Sequence, residues 1–137
     1  MTPDQARLVK QTYEPVRDMA SPLALLFYGR LFELEPSARR LFHNDLALQG
    51  RKLMDTLDLL VASLDDFDAV RPHLSALGRR HQGYGVRPEQ YASVESALLW
   101  ALGQALGPDF DARTRDAWRA VLATVSTAMR QGAAAGA

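Results

Sequence analysis

At 137 residues the chain is expected to form one domain around one core, since a domain of this size buries roughly two-thirds of the surface its unfolded form exposes. Its 47% hydrophobic and 23% charged residues exclude disordered and membrane-spanning compositions, and sixteen basic residues against sixteen acidic ones leave no electrostatic footprint for nucleic acid. With no cysteine, disulfides, thiolate metal sites, nucleophilic thiols and thioether-linked cofactors are all excluded.

Met1-Thr2-Pro3-Asp4 carries no basic region followed by an apolar run, and no stretch approaches the roughly eighteen apolar residues of a membrane span. A cytoplasmic protein without membrane contact is expected. Leu, Ala, Arg, Gln and Glu dominate and two-residue alternation is absent, which predicts an all-α fold. The first helix is predicted from Pro3 to Asp18, with Thr2 as N-cap and Pro3 where a missing N–H costs nothing. Ser21-Pro22 repeats that start signal. The second helix carries Ala24, Tyr28, Leu31 and Phe32 on one stripe, so Tyr28 points inward, and it stops before Pro36.

A turn from Pro36 to Phe42 and a polar His43-Asn44-Asp45 precede a third helix over Leu46–Leu64, whose inner row places Gln49 at the head of an apolar face. Pro72 marks the start of the next helix, where Leu74, Leu77 and His81 share one narrow sector. Gly83, Gly85 and Pro88 break the chain before a helix over Pro88–Leu106, and Gly107-Pro108 breaks it again. Asp111 is the expected N-cap of a last helix carrying Trp118, Val121, Leu122, Val125 and Met129. Residues 132–137 read as a frayed tail, and the lack of repeats or a linker predicts a single domain over residues 1–137.

His81 ends an inward apolar stripe, where a neutral ring must still satisfy one donor and one acceptor nitrogen. Read alone, it is a core histidine bonded to backbone or a metal ligand. His43, in a polar turn, and His73, in a first helical turn, read as solvent-facing. No histidine pair stands at i, i+3 or i+4 and no carboxylate clusters with histidine, so a zinc or di-iron site is not supported. Tyr28 is open to a structural reading too, since buried phenols often bond a nearby carbonyl. Trp100 and Trp118 read as packing.

Leu25-Leu26-Phe27-Tyr28-Gly29-Arg30-Leu31-Phe32, Arg40-Leu41-Phe42, Gln49-Gly50-Arg51-Lys52-Leu53-Met54 and the run from Leu77 through His81 to Val86 stand at separations that resemble the globin family. The similarity spans almost the whole chain, and in detail it is to the single-domain globins of bacteria and the globin half of flavohaemoglobins. It implies a globin fold enclosing non-covalent haem b, with His81 as iron ligand and Phe42 stacked on the haem. It also implies Tyr28 and Gln49 as a distal polar pair, with Leu53 as an apolar gate. Leu77, Val86, Tyr91 and Val94 would line the pocket, and Lys52, a turn past Gln49, would reach a haem propionate. Since no histidine stands at the distal position, an open or water-bound sixth site is expected.

The flavohaemoglobin pattern carries a glutamate late in the last helix that joins a tyrosine around the proximal histidine. Tyr91 matches the tyrosine, but Ala133 stands at the glutamate's place. A proximal histidine bonded only to backbone is a weaker electron donor, which favours reversible binding over O–O cleavage. The implied function is binding of oxygen, carbon monoxide and nitric oxide, for oxygen storage or delivery. The alternatives are a nitric oxide dioxygenase served by a separate reductase, a haem-based sensor, and a haem-free interaction domain.

Overall fold

In a computed structural model of the chain, residues 1–41, 46–83 and 86–135 are described, and every regular element among them is helical. The first helix, α1 (Pro3–Arg17), opens with a reciprocal capping box: Thr2 Oγ1 accepts from the Gln5 N–H at 3.2 Å, and Gln5 Oε1 accepts from the Thr2 N–H at 2.9 Å. Helix α2 (Ala20–Leu34) ends at Glu35, whose φ of −134° and ψ of 81° are the extended backbone that a following proline imposes. A 3-10 turn over Pro36–Leu41 follows, and then α3 (Leu46–Ala62), α4 (Phe67–Gly83) and α5 (Gln90–Leu106). Gly107 takes a φ of +58° to leave α5, and α6 (Ala112–Ala135) begins where Asp111 Oδ1 accepts from the Thr114 N–H at 2.9 Å.

Two expectations are corrected. Helix α4 starts at Phe67, so Pro72 lies inside it and not at its head. Val70 is buried and Phe67 packs against the core, so tertiary burial draws the preceding turn into the helix although Pro72 cannot donate to the Asp68 carbonyl. The tail does not fray at Gly132: α6 runs on to Ala135, because Gly132 lies buried against the Ser75 backbone and the alanines beside it favour helix.

The buried apolar side chains fall into two clusters. The larger joins α1, α2, α3, α5 and the first half of α6 around Trp118, Tyr13, Leu23 and Leu102. Its polar tips are satisfied, for the Trp118 Nε1–H donates to Thr12 Oγ1 at 2.9 Å and the Tyr13 hydroxyl donates to Asp58. The smaller gathers Val70, Leu74, Tyr91, Ala128 and Met129 between α4, α5 and α6, and half-buried Phe67 and Val125 touch both. Helix α4 lies on α6 with little other support, backbone against backbone: a Cβ on Gly78 would collide with the Met129 carbonyl. Among the described residues no helix is long and apolar enough to cross a membrane.

Candidate functional site

His81 sits in the last turn of α4, half-buried beside the smaller cluster. Its Nδ1 lies 2.8 Å from the Leu77 carbonyl one turn back. A carbonyl only accepts, so Nδ1 carries the hydrogen and the lone pair of the neutral ring belongs to Nε2. Burial pushes the pKa below the ordinary histidine value; the Leu77 bond opposes this and the charge of Arg80 adds to it. A neutral imidazole with its proton committed to a backbone acceptor is the state in which histidine ligates a metal. Leu77, half-buried, both lines the site and supplies the carbonyl that orients the ring.

Elsewhere in the fold α2 crosses α3 closely, with a Cβ on Gly50 only 3.0 Å from the Cβ of Ala24. Tyr28 lies one turn beyond Ala24, and Gln49 immediately precedes Gly50. The crossing therefore brings the two together, and the Tyr28 hydroxyl donates to the main-chain carbonyl of Gln49 at 3.2 Å. Burial pushes the phenol's pKa up to about 12, so it stays a neutral donor through the physiological range. The Phe27 ring meets it edge-on at 4.9 Å between centroids and Phe32 stacks on it at 6.1 Å. The Gln49 side chain is half-buried at the same place.

The remaining predicted residues divide between the two clusters. Leu53 and Val94 are half-buried against the larger, whereas Val86 is half-buried and Tyr91 buried in the smaller. Lys52 is exposed on α3, as are Arg79 and Arg80 on α4. Phe42 and His43 lie outside the described residues. His73 is exposed, Trp118 is wholly buried, and Trp100 lies at the surface with the Arg30 guanidinium 5.4 Å from its ring centre. Sequence reasoning passes over Gly78 and Gly132, which seat the histidine helix on α6. The available signal was glycine inside a helix, a choice that costs about 1 kcal/mol unless a close approach requires it.

The chemistry of these residues is compatible with an apolar, metal-bearing group. Half-buried hydrophobic side chains stand on both clusters, a neutral histidine with a fixed tautomer stands beside one, and a buried phenol beside an amide belongs to the other. The molecule is thus an all-helical protein among its described residues. The family model described as Globin matches residues 25–129, and the chain belongs to the globin family.

Curated relatives agree. The chain is 31% identical to a neuroglobin of Chaenocephalus aceratus and 30% identical to neuroglobins of Tetraodon nigroviridis and Danio rerio, in each case over 91% of this chain and 87% of the relative. Among solved structures, a bacterial globin from Campylobacter jejuni superposes with a TM-score of 0.85 at 20% identity, covering 98% of this chain and 97% of the other. An engineered carbene transferase, made from a Rhodothermus marinus protein assigned provisionally as a nitric oxide dioxygenase, superposes at 0.89 with 22% identity, covering 98% and 94%. At these identities the two structures speak for the fold.

Proposed function

We propose that this globin holds non-covalent haem b through His81 and reversibly binds a diatomic gas, oxygen first, on the side of Tyr28 and Gln49. The observation that carries this is the state of His81, half-buried, with burial lowering its pKa and its Nδ1 bonded to the Leu77 carbonyl, a tautomer that puts the ring's lone pair on Nε2. Haem, when bound, would supply the iron that takes up a diatomic gas. The chain would supply the rest: Leu53, Leu77, Val86 and Val94 would exclude water, Lys52 would hold a propionate, and Tyr28 and Gln49 would present hydrogen-bond donors.

The bond from Tyr28 to the Gln49 carbonyl is long for a hydroxyl, at 3.2 Å against the usual range near 2.7–2.8 Å, so turning the proton toward a gas sacrifices little. A donor aimed at partial negative charge in a dry site contributes about 1.5–3 kcal/mol, roughly tenfold to a hundredfold in affinity, chiefly through slower release. Oxygen gathers more such charge than carbon monoxide and gains more. Spectra of the purified chain with haemin, ferric, ferrous and under carbon monoxide, test the reading. A Soret band that His81→Ala cannot retain is the expected result, and its absence in the unaltered chain overturns it.

A second reading, nitric oxide dioxygenation with a separate reductase, draws support from the Rhodothermus marinus neighbour. Ala133 weighs toward binding, since it puts a methyl group where an acid would strengthen the proximal ligand. Multiple turnover of nitric oxide to nitrate with a cellular reductase decides between them.

A further inference from the structure

Behind the His81 turn, where the ends of α4 and α6 meet the start of α5, lies a cavity of about 130 Å³. Val86, Pro88 and Ala133 give it an apolar wall, and Tyr91, Gln82 and Arg130 give it its polar groups. The Arg130 Nε–H donates to the Ser126 carbonyl at 3.4 Å, which lays the guanidinium along α6, and Arg130 enters no ion pair among the described residues. The nearby charges Arg87 and Glu89 pair with each other at 3.6 Å.

Tyr91 is 8% exposed, and its hydroxyl meets no protein acceptor among the described residues. No fully buried polar side-chain atom there lacks a partner, so the hydroxyl keeps contact with accessible space, and Tyr91 lines the cavity. A guanidinium and a neutral phenol, both donors, are therefore presented to one small volume with hydrocarbon opposite. The Arg130 guanidinium, which enters no ion pair among the described residues, favours an anion, and the apolar wall favours one with a hydrocarbon tail. An engineered apolar cavity of roughly 150 Å³ accommodates benzene, so six non-hydrogen atoms suit the space here.

We propose that this cavity binds a short-chain aliphatic monocarboxylate of about butyrate's size, its carboxylate between Arg130 and Tyr91 and its tail against Val86, Pro88 and Ala133. Inorganic oxyanions leave the wall unused, and longer fatty acids exceed the volume.

The test is calorimetric titration of the full chain with sodium butyrate at constant ionic strength, with butyramide and sodium sulfate as comparison ligands. The Ala133 and Ala134 methyl resonances are followed in parallel. Butyrate is expected to saturate and shift both methyls, with butyramide at least tenfold weaker. Arg130→Gln, an exposed position that leaves the fold intact, weakens butyrate tenfold or more. Ala133→Leu fills the cavity and abolishes binding. Butyramide binding as tightly as butyrate, Arg130→Gln binding unchanged, or sulfate competing at equal affinity would each overturn the assignment. So would the absence of heat and methyl shifts at about 50 mM butyrate, the floor of useful affinity for so small a ligand. Should Ala133→Leu fail to fold, the butyramide and Arg130→Gln arms still decide.

Discussion

Tyr28 is a buried phenol whose hydroxyl rests on a main-chain carbonyl at 3.2 Å. Periodicity along α2 shows that it points inward, but every residue of α3 has a carbonyl, so its partner is fixed only by the crossing at Ala24 and Gly50. Removing the hydroxyl leaves the ring's packing on Phe27 and Phe32 in place. Tyr28→Phe is therefore expected to retain haem and release oxygen roughly tenfold to a hundredfold faster in stopped-flow displacement, with a smaller effect on carbon monoxide. An unchanged oxygen off-rate would show that the hydroxyl turns elsewhere. The same substitution has a signature in alkaline solution. The folded pKa of about 12 lies above the reference value of 10.0, so the stabilisation is complete below pH 10 and is lost as pH rises from 10 toward 12. Urea midpoints across that window should fall less steeply for Tyr28→Phe, by up to one proton's worth of slope. Tyr13, whose pKa burial and Asp58 also raise, supplies the remainder.

The element on which the site turns is α4, and its hold on α6 comes from two glycines. A methyl group at Gly78 would meet the Met129 backbone, which cannot yield without moving the whole helix. Gly78→Ala should therefore cost about 1–3 kcal/mol despite alanine's better helix propensity. Gly29→Ala, with no atom within 4 Å of the added Cβ, should instead gain about 0.5–1 kcal/mol, and chemical denaturation of the pair checks both signs. At the head of α6, the Asp111 carboxylate accepts from the Thr114 N–H, and that bond holds its pKa below the ordinary value of 3.8. The cap's stabilisation is thus present above pH 3.8 and lost as pH falls through the lower folded value. Asp111→Ala should weaken the fold at neutral pH and flatten that acid limb in thermal melts. Asp111 and Thr2 were legible as caps because the N-cap signal is local. The start of α4 was not, since Pro72 gives a local stop signal that the burial of Phe67 and Val70 overrides from outside the helix.

At the scale of the whole molecule, the all-helical class, the inward stripe ending at His81 and the inward Tyr28 follow from period and caps, so they are readable in the chain. The division of the core into two clusters is not readable, because it depends on which helices pair across long separations. That division sets the stability of the parts. The larger cluster holds five helices together, whereas α4 rests on α6 through the smaller one, joined to the rest by Phe67 and Val125. Without haem, opening of α4 exposes only the smaller cluster, so its amides should exchange hydrogen well before those of α1, α2 and α5. Haem held through His81 on one side and seated against Leu53 and Val94 on the other would tie the two clusters, and a ligand that binds only the folded state stabilises by about 4.1 kcal/mol at a thousandfold excess over Kd. The gain in protection should therefore be largest along α4 and small within the larger cluster, as measured by exchange with mass-spectrometric detection. In His81→Ala the same addition of haemin should leave α4 as open as before, and equal protection of every helix in the unaltered chain would mean that the two clusters already move as one.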